Sequence, residues 1–261
     1  MGAESYFPYR FSSGLLQVEI HRTRLELGRA AGVAIAGHLR QLLRRQAHVR
    51  AIFACAPSQN EFLMTLRSQL GIAWQRLTIF HMDEYVGIPG THQASFRSYL
   101  HEHLTSHITP EKVYELAGDA ADMSAECNRY TSLLQQAPID IVCLGVGENG
   151  HLAFNDPSVA DFRDPCAVKV VPLDGTCRKQ QINDGCFDAL DLVPSYALTL
   201  TLPTLLAGAR LFCIVPGLRK AAAVKATLLG PVSTACPASI LRHHQSTTLY
   251  LDSDSASLLP D

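Results

Sequence analysis

The sequence predicts an α/β fold in which a mainly parallel sheet is covered by helices on both faces, a three-layer α/β/α arrangement. Three observations carry that reading. Short apolar runs of strand length alternate with stretches of helical period along the chain. The strand-like runs are nearly all apolar, as buried parallel strands are. The chain of 261 residues, 47% of them apolar, has enough material for one large core. We therefore expect a single domain over residues 1–261.

The elements follow in order. Residues 20–45, "IHRTRLELGRAAGVAIAGHLRQLLRR", repeat apolar positions at three and four and end on cations, as a helix C-terminus favours. "VRAIFACA" at 49–56 reads as a strand, "EFLMTLRSQL" as a helix and "RLTIFHM" at 76–82 as the next strand. "SFRSYLHEHL" and "SAECNRYTSLLQQ" read as helices before the strand "IDIVCLGV". The apolar stretch 196–217 holds a strand at "RLFCIVPG", "RKAAAVKATLLG" is helical by composition, and "TTLYLD" at 247–252 closes the series. Open α/β sheets bind ligands in loops at the carboxyl ends of their strands. Four such loops follow: "APSQN" at 56–60, "MDEYVG" at 82–87, "GVGENGH" at 145–151 and "PGLRK" at 216–220.

Composition excludes some functions. With 22 Lys plus Arg against 24 Asp plus Glu, a net charge of -2 and no long basic block, nucleic-acid binding is not expected. No apolar run reaches the roughly 18 residues of a membrane span. The N-terminus lacks a secretory pattern, and Tyr6 breaks the myristoylation motif that Gly2 would begin, so we expect a cytoplasmic protein. The eight cysteines show no CxxC pair or zinc spacing. Cys55, Cys143 and Cys213 lie within apolar runs and read as buried thiols. His101, His103, His107, His243 and His244 read as surface residues, and the tail 252–261 as frayed.

Two stretches carry chemistry. In "LGVGENGHLAFNDP", residues 144–157, Gly145, Gly147 and Gly150 match GxGxxG, a spacing that ordinary turns also produce. Its place past mid-chain and Pro157 argue against a dinucleotide loop. His151 has Asn149 and Asp156 nearby in sequence to fix its tautomer. In "MDEYVG", a carboxyl group at the end of a buried strand is desolvated, which raises its pKa toward that of a general base; a helix cap is the other reading.

Together, "MDEYVG", "GVGENGHLAFNDP", "LDGTCR" and "PGLRKA" resemble the glucosamine-6-phosphate deaminase/isomerase family, related to 6-phosphogluconolactonase. The resemblance implies a Rossmann-like sandwich and an aldose-to-ketose isomerisation of an amino-sugar phosphate with loss of ammonia. It implies Asp83 as the base at C2, His151 as the ring-opening group, and Asp156 as its support, with Asn149 beside it. It implies Arg178 and Lys220 as phosphate ligands. It needs neither metal nor organic cofactor, and it allows a homo-oligomer. Glycines around His151, Gly147 among them, would let the sugar ring approach the backbone.

The chain departs from the family at the first loop, where "CAPSQNE" replaces a glycine-rich phosphate cradle. Ser58, Gln59 and Asn60 are left as donors there, and Glu61 brings a negative charge unless it turns into the following helix. Three other readings stay open: a non-deaminating sugar-phosphate isomerase, a catalytically weak sugar-phosphate sensor and, on its "DEY" and "GHLAFNDP" least of all, a lactonase. The charged segment 158–195, poor in apolar periodicity, is expected to be a lid carrying Arg178 over the pocket.

Overall fold

The computed structural model describes residues 7–260; the N-terminal stretch on which the myristoylation and most of the secretory reading rest lies outside them. Eight strands form one twisted sheet in the order β1-β2-β11-β10-β7-β3-β4-β6. They are β1 (Tyr9–Ser13), β2 (Leu16–His21), β3 (Val49–Phe53), β4 (Leu77–His81), β6 (Lys112–Tyr114), β7 (Ile141–Leu144), β10 (Arg210–Val215) and β11 (Thr247–Asp252). Every pairing is parallel except the β1–β2 hairpin. A second, antiparallel sheet joins β5 (Asp83–Tyr85), β9 (Tyr196–Leu200) and β8 (Val168–Pro172) in the order β5-β9-β8.

The helices are α1 (Arg24–Arg45), α2 (Asn60–Arg67), α3 (Phe96–His103), α4 (Met123–Leu134), α5 (Gly175–Asn183), α6 (Leu202–Leu206) and α7 (Ala221–Leu229). Two apolar clusters, one on each face of the main sheet, fill the layers: α1, α2 and α3 cover one, α4 and α7 the other. α1 shows how sequence sets packing. Leu27, Ala31, Ile35, Leu39 and Leu43 form its buried stripe. Gly28 and Gly32 on the same face let α2 come close, since a Cβ at Gly28 would lie 2.3 Å from Glu61 Cβ.

Several expectations are corrected here. The first helix starts at Arg24, because the Thr23 side chain caps it and Ile20 and His21 belong to β2, where Ile20 pairs with Leu251. Asp83–Tyr85 is a strand of the small sheet, not part of an irregular loop. Segment 158–195 holds β8 and α5, and its apolar positions Val168, Val171, Cys177 and Phe187 are buried. The tail turns back on itself: Asp252 accepts from Gly217 N and Ser255 N, and Ser255 is buried. His244 is half-buried, hydrogen-bonded to the Gly208 carbonyl and Thr247 hydroxyl, and His103 lies on the Tyr99 ring. All eight cysteines are free, with Cys55, Cys143 and Cys213 buried as expected. No helix among the described residues is long and apolar enough to cross a membrane.

Candidate active site

Four neighbouring strands, β10-β7-β3-β4, bring the four predicted loops to one cleft at their carboxyl ends. Its walls carry Ser58 and Gln59 after β3, Asp83 after β4, Gly145, Gly147 and His151 after β7, and Lys220 after β10. α5 adds Gln180, Gln181 and Asp184 from the other side.

Asp83 is held by backbone on both sides. β5 pairs it with Thr199 of β9, and the Asp83 carbonyl accepts from Nδ1 of the fully buried His81 at 2.8 Å. Leu116 N donates to His81 Nε2, so both ring nitrogens are satisfied and burial keeps this histidine neutral. The Asp83 carboxylate is 8% exposed and, among the described residues, meets no hydrogen-bond donor. Burial pushes its pKa well above the ordinary carboxylate value, and the adjacent negative Glu84 pushes the same way. Glu84 has the capping role that the sequence left open for either residue. Its carboxylate accepts from Tyr85 N, Ser95 Oγ, Phe96 N and Arg97 N at the start of α3.

His151 rests on the bare face of Gly147. A Cβ at Gly147 would lie 2.2 Å from both Cε1 and Nε2 of the imidazole, so the missing side chain makes room first for the protein's own ring. Gly150 adopts a φ of +84°, which only glycine takes without strain, and Gly150 N donates to Gly147 O to close the turn. Nδ1 of His151 is 2.7 Å from Asn149 Oδ1 and 2.8 Å from Asp156 Oδ1. Asn149 Nδ2 donates to Asp156 Oδ1 at 2.9 Å, so Asn149 braces both members of the pair. Burial alone would raise the Asp156 pKa, but hydrogen bonds and charge from His151, with further bonds from Asn149 and Cys177, hold it below the usual range. Asp156 is thus a fixed anion that orients the imidazole and leaves Nε2 toward the cleft.

The phosphate end differs from expectation. Lys220 reaches the cleft, and burial lowers its pKa against the opposing pull of Asp184 and Glu148. Ser58 and Gln59 also line it, with Gln59 Nε2 bonded to Ser58 Oγ and to the Ile214 carbonyl. Asn60 points elsewhere, accepting from Tyr99 OH at 2.6 Å. Arg178 is not on the cleft wall: its guanidinium donates to the Leu190 and Val193 carbonyls. α5 turns Cys177, Gln180 and Gln181 inward, whereas Arg178 is half-buried against the segment that follows the helix. Glu61 turns into the first turn of α2 and pairs with Arg24 at 2.7 Å, away from a bound anion.

Sequence reasoning missed Gln180, Gln181 and Asp184. Tyr85 OH donates to Gln181 Oε1, and Gln180 Oε1 accepts from Glu148 N at 2.8 Å. Arg219 ties three loops at the rim, meeting Asp184 at 3.0 Å, Glu148 at 3.5 Å and the Asn183 carbonyl at 2.9 Å. The i, i+3 and i, i+4 spacing of Cys177, Gln180, Gln181 and Asp184 was the available signal for one face of a helix. Cys55 also touches the cleft, but burial and the Asp83 charge push its thiol pKa up, which keeps it un-ionised.

The arrangement offers an unpartnered, desolvated carboxylate for proton abstraction, an oriented imidazole for proton transfer, and a buried cation for an anionic group. Comparison with known proteins shows the family. The profile of the family described as glucosamine-6-phosphate isomerases/6-phosphogluconolactonase matches residues 22–170. A protein of Exiguobacterium sibiricum named glucosamine-6-phosphate deaminase is 35% identical over 208 residues, covering 76% of this chain and 81% of that one. One of Listeria monocytogenes with the same name is 36% identical over 185 residues, covering 71% and 77%. Among solved structures, a monomeric glucosamine-6-phosphate deaminase superposes with a TM-score of 0.84 at 30% identity, covering 92% of this chain and 99% of that one. The 6-phosphogluconolactonase of Thermotoga maritima shares the fold, with a TM-score of 0.75 at 16% identity over 91% of this chain and 99% of its own. On these grounds the chain belongs to the glucosamine-6-phosphate isomerase/6-phosphogluconolactonase family.

Proposed function

We propose that the protein converts glucosamine 6-phosphate to fructose 6-phosphate and ammonia. The observation that carries this reading is the Asp83 carboxylate, desolvated and without a protein donor, on the same cleft as His151 and Lys220. His151, oriented by Asp156 and Asn149, transfers a proton at the ring oxygen to open the sugar. Asp83 removes the proton from C2 of the open-chain aldehyde, giving an enolamine once the C1 oxygen is protonated, and returns that proton to C1; C1 becomes a CH2OH carbon and the C2 amine becomes an imine. Water then adds at C2 and ammonia leaves, giving the ketose phosphate. Its raised pKa suits Asp83 to both halves of this transfer, since the carboxyl must give back the proton it takes. Lys220 holds the phosphate, and that remote binding energy aligns C2 with Asp83.

The 158–195 segment acts as the lid through α5, whose inward Gln180 and Gln181 close the cleft. All of these groups come from one chain, so the chemistry needs no second subunit. Eight free cysteines suit a reducing, cytoplasmic setting.

The test is ammonia release coupled to ketose phosphate detection on glucosamine 6-phosphate, with galactosamine 6-phosphate in parallel. Release that is lost in Asp83→Asn supports the deaminase and names the sugar. Tight binding of both sugars without release would replace the enzyme with a sugar-phosphate sensor. The parallel sugar matters because Arg178 is turned away, leaving Lys220 as the cation at the phosphate end of the cleft.

A further inference from the structure

Around the imidazole sits a donor set in which Cys177, a third member the isomerisation does not use, joins His151 and Asp156. One ligand atom each from His151, Asp156 and Cys177 lie within 4.8 Å of one another, and all three residues are buried. Nitrogen, carboxylate oxygen and sulfur together form a set that zinc and its chemical relatives take and that magnesium and calcium do not. Zn–S bonds of about 2.3 Å and Zn–N bonds of about 2.0–2.1 Å put ligand atoms on one ion roughly 3.3–3.8 Å apart. From a spread of at most 4.8 Å, the widest pair closes by up to about 1.5 Å, and the His151–Asp156 pair, at 2.8 Å, opens by about half an ångström to admit an ion.

Two further observations point to a cation at this spot. Asp156 Oδ2 is wholly buried and meets no N–H or O–H donor among the described residues, only the neighbouring Cys177 thiol, on a side chain that is itself 0% exposed. On its other side, two oxygens crowd one ring nitrogen: Asn149 Oδ1 at 2.7 Å and Asp156 Oδ1 at 2.8 Å both address His151 Nδ1, which carries at most one hydrogen. Asn149 Oδ1 is thereby within reach as a fourth donor. The route in is the cleft, since His151 forms part of its wall.

We propose that His151, Asp156 and Cys177 bind a thiophilic divalent cation of the zinc class, and that the bound ion inhibits the protein. Binding takes the proton from the Cys177 thiol and from His151 Nδ1 and releases both to solvent. An ion between His151 and Asp156 replaces the hydrogen bond that orients the imidazole, so ring opening stops. The binding half stands alone; the inhibition half rests on the deaminase reading.

Cobalt(II), a spectroscopic stand-in for zinc, tests the site in the full-length chain. We expect a thiolate-to-cobalt charge-transfer band in the near ultraviolet that saturates near one equivalent, is displaced by zinc, and reverses with chelator. Cys177→Ser loses that band, whereas Cys166→Ser, at an exposed cysteine, keeps it. Should Cys177→Ser fail to fold, His151→Ala serves: losing a direct ligand should weaken cobalt binding by more than the roughly 10–100-fold that losing an outer-shell partner costs. No band in the wild type, or an undiminished band in Cys177→Ser, overturns the site. Ammonia release falling in step with the band supports inhibition, and full release from cobalt-saturated protein overturns it. A cobalt band in a protein that never releases ammonia would keep the site and sink the deaminase reading.

Discussion

Replacing Asp83 by Asn should make the protein both inactive and more stable, and the two effects have one cause. The substitution keeps the shape of the side chain and removes its charge. The carboxylate is 8% exposed, lacks a hydrogen-bond donor, and follows directly on from the buried His81 and Met82 beside the anionic Glu84. Asn keeps a polar side chain and removes only the charge, so what the substitution returns is the cost of a poorly hydrated carboxylate short of donors, about 1–3 kcal/mol. For a chain of this size that is a gain in Tm of roughly 2–12 °C.

The pH dependence gives the sign. The folded-state pKa of Asp83 is raised above its unfolded value, so the folded protein keeps the proton to higher pH than the unfolded chain does. The wild type therefore loses stability relative to Asp83→Asn as pH rises from the unfolded value, near 3.9, toward the folded one. At lower pH both proteins carry a neutral side chain and melt alike. Differential scanning calorimetry between pH 5 and 8, with ammonia release on the same samples, is the assay. We expect the stability gap to widen with pH while kcat/KM falls by about 10²–10⁴, the usual worth of a general base. A variant that melts below the wild type at pH 8, or a gap that does not change with pH, would refute the argument that desolvation poises this carboxylate.

Three further outcomes follow. Asp156→Asn removes the fixed anion from His151 Nδ1 and should lower kcat by about 10²–10⁴ with little change in KM, read from steady-state kinetics; a change confined to KM would place Asp156 outside proton transfer. Lys220→Ala should raise KM for glucosamine 6-phosphate by about 10- to 150-fold, the worth of a charged hydrogen bond, while leaving turnover of unphosphorylated glucosamine unaffected; equal losses on both sugars would move the phosphate elsewhere. Gly147→Ala should keep the fold, by circular dichroism, yet lose most activity, because its Cβ falls 2.2 Å from the His151 ring; a fully active variant would show that the ring has another resting place.

Much of this protein could be read from its residues, and the gaps have physical reasons. Strands β3, β4, β7, β10 and β11 were legible because both their faces are covered, which makes them unbroken apolar runs. β1, with its exposed Tyr9, and the three-residue β6 carry no such run. β8 was hidden in a charged segment because only two of its five positions, Val168 and Val171, are buried, three residues apart and so without the alternation that marks a strand. At the cleft, Asp83, His151 and Lys220 come together on the segments that follow β4, β7 and β10, with Asn149 and Asp156 bonded to His151. The register of α5 was harder to read, since its inward face sets Gln180 and Gln181 beside Cys177, and only their i, i+3 and i, i+4 spacing marks it. Arg178, which the resemblance implies as a phosphate ligand, donates to the Leu190 and Val193 carbonyls in this structure.

The small sheet has a consequence for how this enzyme could be redesigned. β5 anchors Asp83 to β9, and β9 is held in turn by β8 through pairings that run from Val168 to Pro172. The polypeptide that leaves β8 at Pro172 returns at Tyr196, so residues 173–195 form an excursion whose two ends are clamped next to each other. Such an excursion is a cassette. Its outward positions can be exchanged, to admit a bulkier or differently charged sugar, while Cys177, Gln181 and Phe187, which pack or bond against the frame, are kept and Asp83 stays in place.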